Sequence, residues 1–204
     1  MKASRIIFAE IFLSMKKILP VLLFFLSPVL QAQFSLHGAA NLGEPLAKIL
    51  KDFPNHFKNL KGALLADNIE STDYICTTVL PGSLSSAITL HGAEKDNDYS
   101  WEAVMDSVED FDKAKTEFNR LYKEIKKTTF FIDAEKISLS ADYVAPSEDM
   151  QFSTIIFRPV PVNDSMQHAV VELSLQYLIT HWQVTISIYN KEDYGLTPSQ
   201  TNQE

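Results

Sequence analysis

The chain has 204 residues, 46% of them apolar and 22% charged, with 18 basic against 26 acidic side chains and a net charge of −8. That is enough apolar material for one well-cored domain, and so acidic a surface repels phosphate backbones, which excludes nucleic acid as a partner class and disfavours adhesion to anionic lipid. The single cysteine, Cys76, forbids an intrachain disulfide, so stability has to come from packing.

The chain opens with two Met-led apolar segments, MKASRIIFAEIFLS and MKKILPVLLFFLSPVLQAQ. The second has the parts of an export signal: Lys16 and Lys17, an apolar run over residues 18–30, and Ala32 as the last residue before cleavage. A helix over that run would be about 20 Å long, short of a bilayer core of about 30 Å, and Pro20 and Pro28 interrupt it. Residues 1–32 therefore read as a cleaved signal peptide and not as a stable membrane anchor. Met15 is a second candidate start, which would leave residues 1–14 upstream of the protein. No cysteine follows the run, so no lipid anchor is expected at the cleavage point. The expected destination is the periplasm or the exterior. Cleavage would leave 172 of the 204 residues and remove four cations (Lys2, Arg5, Lys16, Lys17) and one acid (Glu10), which takes the charge from −8 to −11. Residues 33–190 are expected to form one domain and 191–204 a disordered tail.

After an extended start over 33–44, the residues Leu46, Ile49, Leu50, Phe53, Phe57 and Leu60 lie on one helical stripe. Pro54 should kink this helix or start a second one, with Asp52 as its cap. Lys58 and Lys61 suit the negative end of the helix dipole, and Gly62 suits a left-handed stop. The stretch DFPNHFKNLKG thus reads as helix chemistry, with Phe53 and Phe57 turned inward and Asn55 and His56 outward.

The period then changes. YICTTVL (74–80), SAITLHG (86–92) and YSWEAVM (99–105) read as three strands, punctuated by the turn Pro81-Gly82 and the polar connector GAEKDND. Residues 109–127 carry Phe111, Ala114, Phe118, Leu121, Tyr122 and Ile125 on one face and mixed charges on the other, an amphipathic helix lying on a core. TTFFI (128–132), KISLSADYV (136–144) and FSTIIF (152–157) are further strands. The prolines of RPVPV belong on an edge or beyond the last of these, and Asn163-Asp164-Ser165 is a turn. In AVVELSLQYLITHWQVTISIYN (169–190) the apolar phase flips between Ile179 and Trp182 with no turn residue between them. A β-bulge near Thr180–His181 in one long bent strand explains the flip, with a tight hairpin as the alternative. The order is helix, three strands, helix, four or five strands. The expected fold is α+β: an antiparallel sheet with two amphipathic helices packed on one face. Each helix is followed by strands and a proline turn (VLPGS, YVAPS), an echo that an old duplication or coincidence would produce.

Few residues point to chemistry. The histidines at 37, 56, 91, 168 and 181 have no zinc-ligand spacing. HGAEKDND could hold Ca²⁺ only loosely, lacking the glycine and glutamate of a calcium loop, so no metal or cofactor is expected. Ser83, Ser85 and Ser86 lack the G-x-S-x-G turn, and Cys76 in an apolar run reads as a buried hydrophobe. Asp106, Glu109 and Asp110 read as acids at the N-terminus of the second helix, not as a glycosidase pair. The strand aromatics Tyr99, Trp101, Tyr177, Trp182 and Tyr189 would make a binding platform if they shared an uncovered face; the strand phase instead puts both tryptophans inward. The candidate binding residues are His91, Glu94, Asp96, Asp98, Tyr99 and Trp101. The expectation is a non-enzymatic exported domain, monomer or weak oligomer, that binds a protein, peptide or glycan. The alternatives are a hydrolase of unfamiliar type using His91 or Cys76 with nearby acids, and an envelope assembly subunit that pairs through a sheet edge.

Overall fold

The computed structural model describes residues 41–92 and 98–191. Residues 1–32, expected to be a signal peptide, the tail beyond Lys191, Glu94 and Asp96 lie outside the described residues. Helix α1 (Gly43–Asp52) precedes strands β1 (Lys61–Asp67), β2 (Ser71–Cys76), β3 (Ser85–His91) and β4 (Asp98–Val108). Helix α2 (Phe111–Lys127) precedes β5 (Thr129–Ile132), β6 (Glu135–Ser140), β7 (Phe152–Val160), β8 (Ala169–Leu178) and β9 (His181–Asn190). The nine strands form one antiparallel sheet in the order β1-β2-β3-β4-β9-β8-β7-β6-β5. Two helix-plus-meander halves thus meet along β4 and β9. No helix among the described residues is long and apolar enough to cross a membrane.

The core lies between the helices and one face of the sheet. Leu46, Ile49 and Leu50 of α1 and Phe118, Leu121 and Ile125 of α2 are buried in one cluster with Ile88, Trp101, Leu173, Ile186 and Phe157 of the strands. Phe111 packs on Trp182 with ring centroids 4.9 Å apart, and Tyr122 on Phe157 at 5.6 Å. The opposite face carries the alternate residues, among them Glu102, Ser187, Glu172, Thr89 and Asp73. These are joined in hydrogen bonds such as Thr89 Oγ1 to Asp73 Oδ1 at 2.7 Å and Tyr189 Oη to Glu172 Oε2 at 2.7 Å. Helix α2 is capped by Asp110, whose carboxylate accepts the Lys113 N–H at 2.9 Å. Asp106, expected at that helix end, lies in β4 instead.

The first half departs from the sequence reading at the end of its helix, at its first strand, and in YICTTVL, whose residues 77–80 lie beyond β2 in the loop. The helix ends at Asp52, followed by a 3₁₀ turn (Phe53–Asn55) in which Pro54 supplies the fixed φ. Asp52, 6% exposed, holds what comes next: its carboxylate accepts Asn55 Nδ2, the Asn59 N–H and Asn59 Nδ2 at 3.2, 2.9 and 2.6 Å. This network bends the chain through His56 and Phe57, both left-handed at φ 53° and 54°, so Phe57 and Leu60 reach the core from turns and not from helix. The second departure is β1, which the sequence reading omits. KGALLAD has neither β-branched residues nor alternation, and four of its seven positions are exposed and the other three half-buried at a sheet edge, where no pattern is imposed. Gly62 lies inside this strand and is not a helix stop; a Cβ there would come within 2.8 Å of the Ile75 carbonyl. Between Lys61 and Ala66, β1 carries two more residues than its partner stretch of β2, marking two irregularities.

The run 169–190 is a hairpin and not one bent strand. Tyr177 pairs with Trp182 and Leu178 with His181 across a two-residue turn. The turn is made without glycine or asparagine: Ile179 takes φ 55° and stands 92% exposed. A further bulge in the sheet is at Met105, where β4 gains one residue over β9. Pro159 sits inside β7, at a level where β7 pairs with β6 and its pairing with β8 has ended, so its missing N–H costs no ladder bond.

Candidate functional site

Alternation along β4 divides the expected binding residues. Asp98 lies opposite His91 in register, and His91 Nε2 is 2.8 Å from Ser100 Oγ; these three sit on the uncovered face of the β3–β4 hairpin. Tyr99 and Trp101 point to the helix side. Trp101 is buried in the core with its indole N–H unpartnered among the described residues. Tyr99 is half-buried, 6.1 Å from the His56 ring, with Lys61 Nζ 5.8 Å above it and 4.1 Å above Tyr74. The four described members of the set, His91, Asp98, Tyr99 and Trp101, therefore do not converge on one site. Nor do the aromatics form a platform: Trp101 and Trp182 are buried, Tyr177 packs on Trp182 at 5.1 Å, and of the five only Tyr189 lies on the uncovered face.

Cys76 is buried, and its thiol donates to the Thr78 carbonyl at 3.1 Å. A Cys76–His91 pair is ruled out by register. His91 lies opposite Ser71, five residues from Cys76 along β2, a separation of about 17 Å at strand rise. No group of three or more His, Cys, Asp or Glu among the described residues could hold a metal ion.

A concave site forms where no motif predicts one. A cleft of about 770 Å³ runs beside α1, between that helix, the β2–β3 loop and the junction of α2 with β5. Its walls are Gly43, Glu44, Ala47, Lys48 and Lys51 from α1, Thr78 and Val79 from the loop, and Lys127, Thr128 and Thr129 from the junction. The α1 residues recur at helical spacing, so one face of the helix lines the cleft while Leu46, Ile49 and Leu50 face the core. At the N-terminus of α1 the Gly43 N–H donates to Asn41 Oδ1 at 2.9 Å and Pro45 has no N–H to give. Thr128 is buried and donates its hydroxyl to the Glu124 carbonyl at 3.0 Å. Thr78, only 8% exposed, has a hydroxyl with no hydrogen-bond partner among the described residues. Lys127 pairs with Glu124 at 3.4 Å but remains 72% exposed. The walls thus hold three cations against one anion, Glu44, in a chain whose net charge is negative.

In sequence, Lys48 and Lys51 fall on the solvated face of the first helix and Lys127 in the last turn of the second. Nothing local shows that residues 78–79 and 127–129 close against α1. Comparison of the chain with protein-family models, curated proteins and solved structures finds no match.

Proposed function

We propose that the chain is an exported, non-catalytic binding domain that takes its ligand in the cleft beside α1. The observation that carries this reading is the cleft itself. Its volume falls in the range of small-molecule sites, about 300–1,000 Å³, and its polar groups come from three separate segments held on a rigid core. The export half of the reading rests on the composition of residues 16–32. Cleavage should leave an N-terminus at Gln33 on protein recovered outside the cytoplasm; retention inside, uncut, would remove that half. For the binding half, a broad ligand screen by ¹⁵N-resolved NMR should shift the amides of Gly43, Lys48, Thr78 and Thr128 together. Shifts confined to the β3–β4 hairpin or the uncovered sheet face would relocate the site.

A second reading has one observation in its favour. His91 Nε2 lies within hydrogen-bond reach of Ser100 Oγ, the contact that a base makes with a hydroxyl nucleophile, and Asp98 is the cross-strand neighbour of His91. On this reading the hairpin is a hydrolytic site, with Ser100 as nucleophile and His91 as base. An esterase and peptidase panel on wild type, His91→Ala and Ser100→Ala decides it: turnover abolished by both substitutions supports the hydrolase, and turnover indifferent to them removes it.

A further inference from the structure

From the cleft we infer a ligand class: a small polyanion bearing two or more carboxylate or phosphate groups, an inference that rests on the cleft being the binding site. Three features point the same way. First, Lys48, Lys51 and Lys127 come from two different helices yet border one concavity, and they do so in a chain whose summed charge is −8, so an anion approaching elsewhere meets repulsion. A concave wall with low-dielectric neighbours focuses that local positive field. Second, the groups that line the cleft are chiefly donors. Three ammonium groups, that of Lys127 shared with Glu124, and two threonines, Thr78 and Thr129, line the cleft with a single carboxylate, Glu44, which matches an acceptor-rich ligand and mismatches a cationic one. Third, Thr78 lines this cleft, is more than nine-tenths buried, and has a hydroxyl that lacks a partner among the described residues. Buried hydroxyls in folded proteins are nearly always paired, and an acceptor on a ligand that reached this wall would complete the pairing.

A single carboxylate would engage one lysine at a time. The spacing of Lys48 and Lys51 on one helix face, with Lys127 across the cleft, favours a ligand with charges at more than one point. Lysine presents a point charge on a flexible stem and not a planar fork, so phosphate and carboxylate are both admissible.

The test is a titration of the purified chain, followed by ¹⁵N NMR, with citrate, with pyrophosphate and with neutral maltotriose. Citrate, pyrophosphate or both should shift Gly43, Lys48, Thr78 and Thr128 saturably. Lys48→Gln and Lys51→Gln should each weaken binding about tenfold, the loss of one charge-assisted hydrogen bond. Lys58→Gln, an exposed cation outside the cleft, should leave it within about twofold. Equal weakening by Lys58→Gln would show diffuse attraction and overturn the inference. Cleft shifts with maltotriose and none with either anion would overturn the anion class and keep the cleft as the site. No shift at the cleft with any of the three would count against both.

Discussion

The two halves of the molecule follow one plan and use it differently. In each, a helix precedes a pair of strands, a proline loop, and then the next strand: Pro81 lies between β2 and β3, and Pro146 between β6 and β7. In the second half the proline loop is fastened to the helix. Tyr143 stacks on Tyr122 of α2 at 4.8 Å, and its hydroxyl donates to Asn119 Oδ1 at 2.6 Å. In the first half the loop is fastened to its own backbone surroundings instead. Thr77 bonds the Leu60 carbonyl through both N–H and hydroxyl, and Ser83 bonds the Leu80 carbonyl in the same double way. No aromatic from that loop crosses to α1; Thr78 and Val79 border the cleft. The same loop position is sealed in one half and open in the other, so the open one is where a ligand has room.

That contrast can be broken or sharpened by substitution. The largest effect should come from the sealed half: Phe118→Ala, removing a fully buried ring under α2, should cost about 4 kcal/mol in urea unfolding. A loss below about 1 kcal/mol would mean that α2 does not carry the core. Asp52→Ala tests the turn that lets the open half bend toward the sheet. It strands the Asn59 N–H and two side-chain amides, and should cost about 3 kcal/mol by the same measurement. Cleft binding should weaken less than stability does, because Asp52 does not line the cleft. Tyr143→Phe removes only the hydrogen bond that fastens the second loop and should cost about 1 kcal/mol, with the ring stack intact. If it costs nothing, the two loops differ less than their contacts imply. The smallest effect has the opposite sign. Ile179→Asn relieves a β-branched side chain of a left-handed backbone and should add about 1 kcal/mol of stability. A decrease would show that the exposed isoleucine makes a contact worth more than the strain.

What could be read from sequence follows the same division. Helix α2 was legible because its stripe is local; of the three acids expected at its start, Asp110 is the one that caps it. The strands SAITLHG and FSTIIF were legible by β-branched content, and correspond to β3 and the start of β7. Helix α1 was over-extended, since Phe57 and Leu60 continue the helical spacing while an Asp52 network seven residues wide sets their real path. Strand β1 left no pattern because an edge position imposes none. The β8–β9 turn ranks behind a bulge in sequence because the chain has isoleucine where asparagine or glycine is usual. The candidate residues at the hairpin were chosen for their chemistry in one dimension, and strand alternation then sent Tyr99 and Trp101 to the opposite side from His91 and Asp98. The cleft needed three distant segments to meet, which a linear reading could not foresee.

The irregular first strand has a consequence for how the molecule behaves in company. One end of the sheet finishes in a ribbon whose two surplus residues throw its outward-facing amides and carbonyls out of step, and the other finishes after four residues. A neighbouring chain seeking to continue the ladder would find no straight template at either end. Both ends of the sheet therefore disfavour edge-to-edge pairing of one copy with the next.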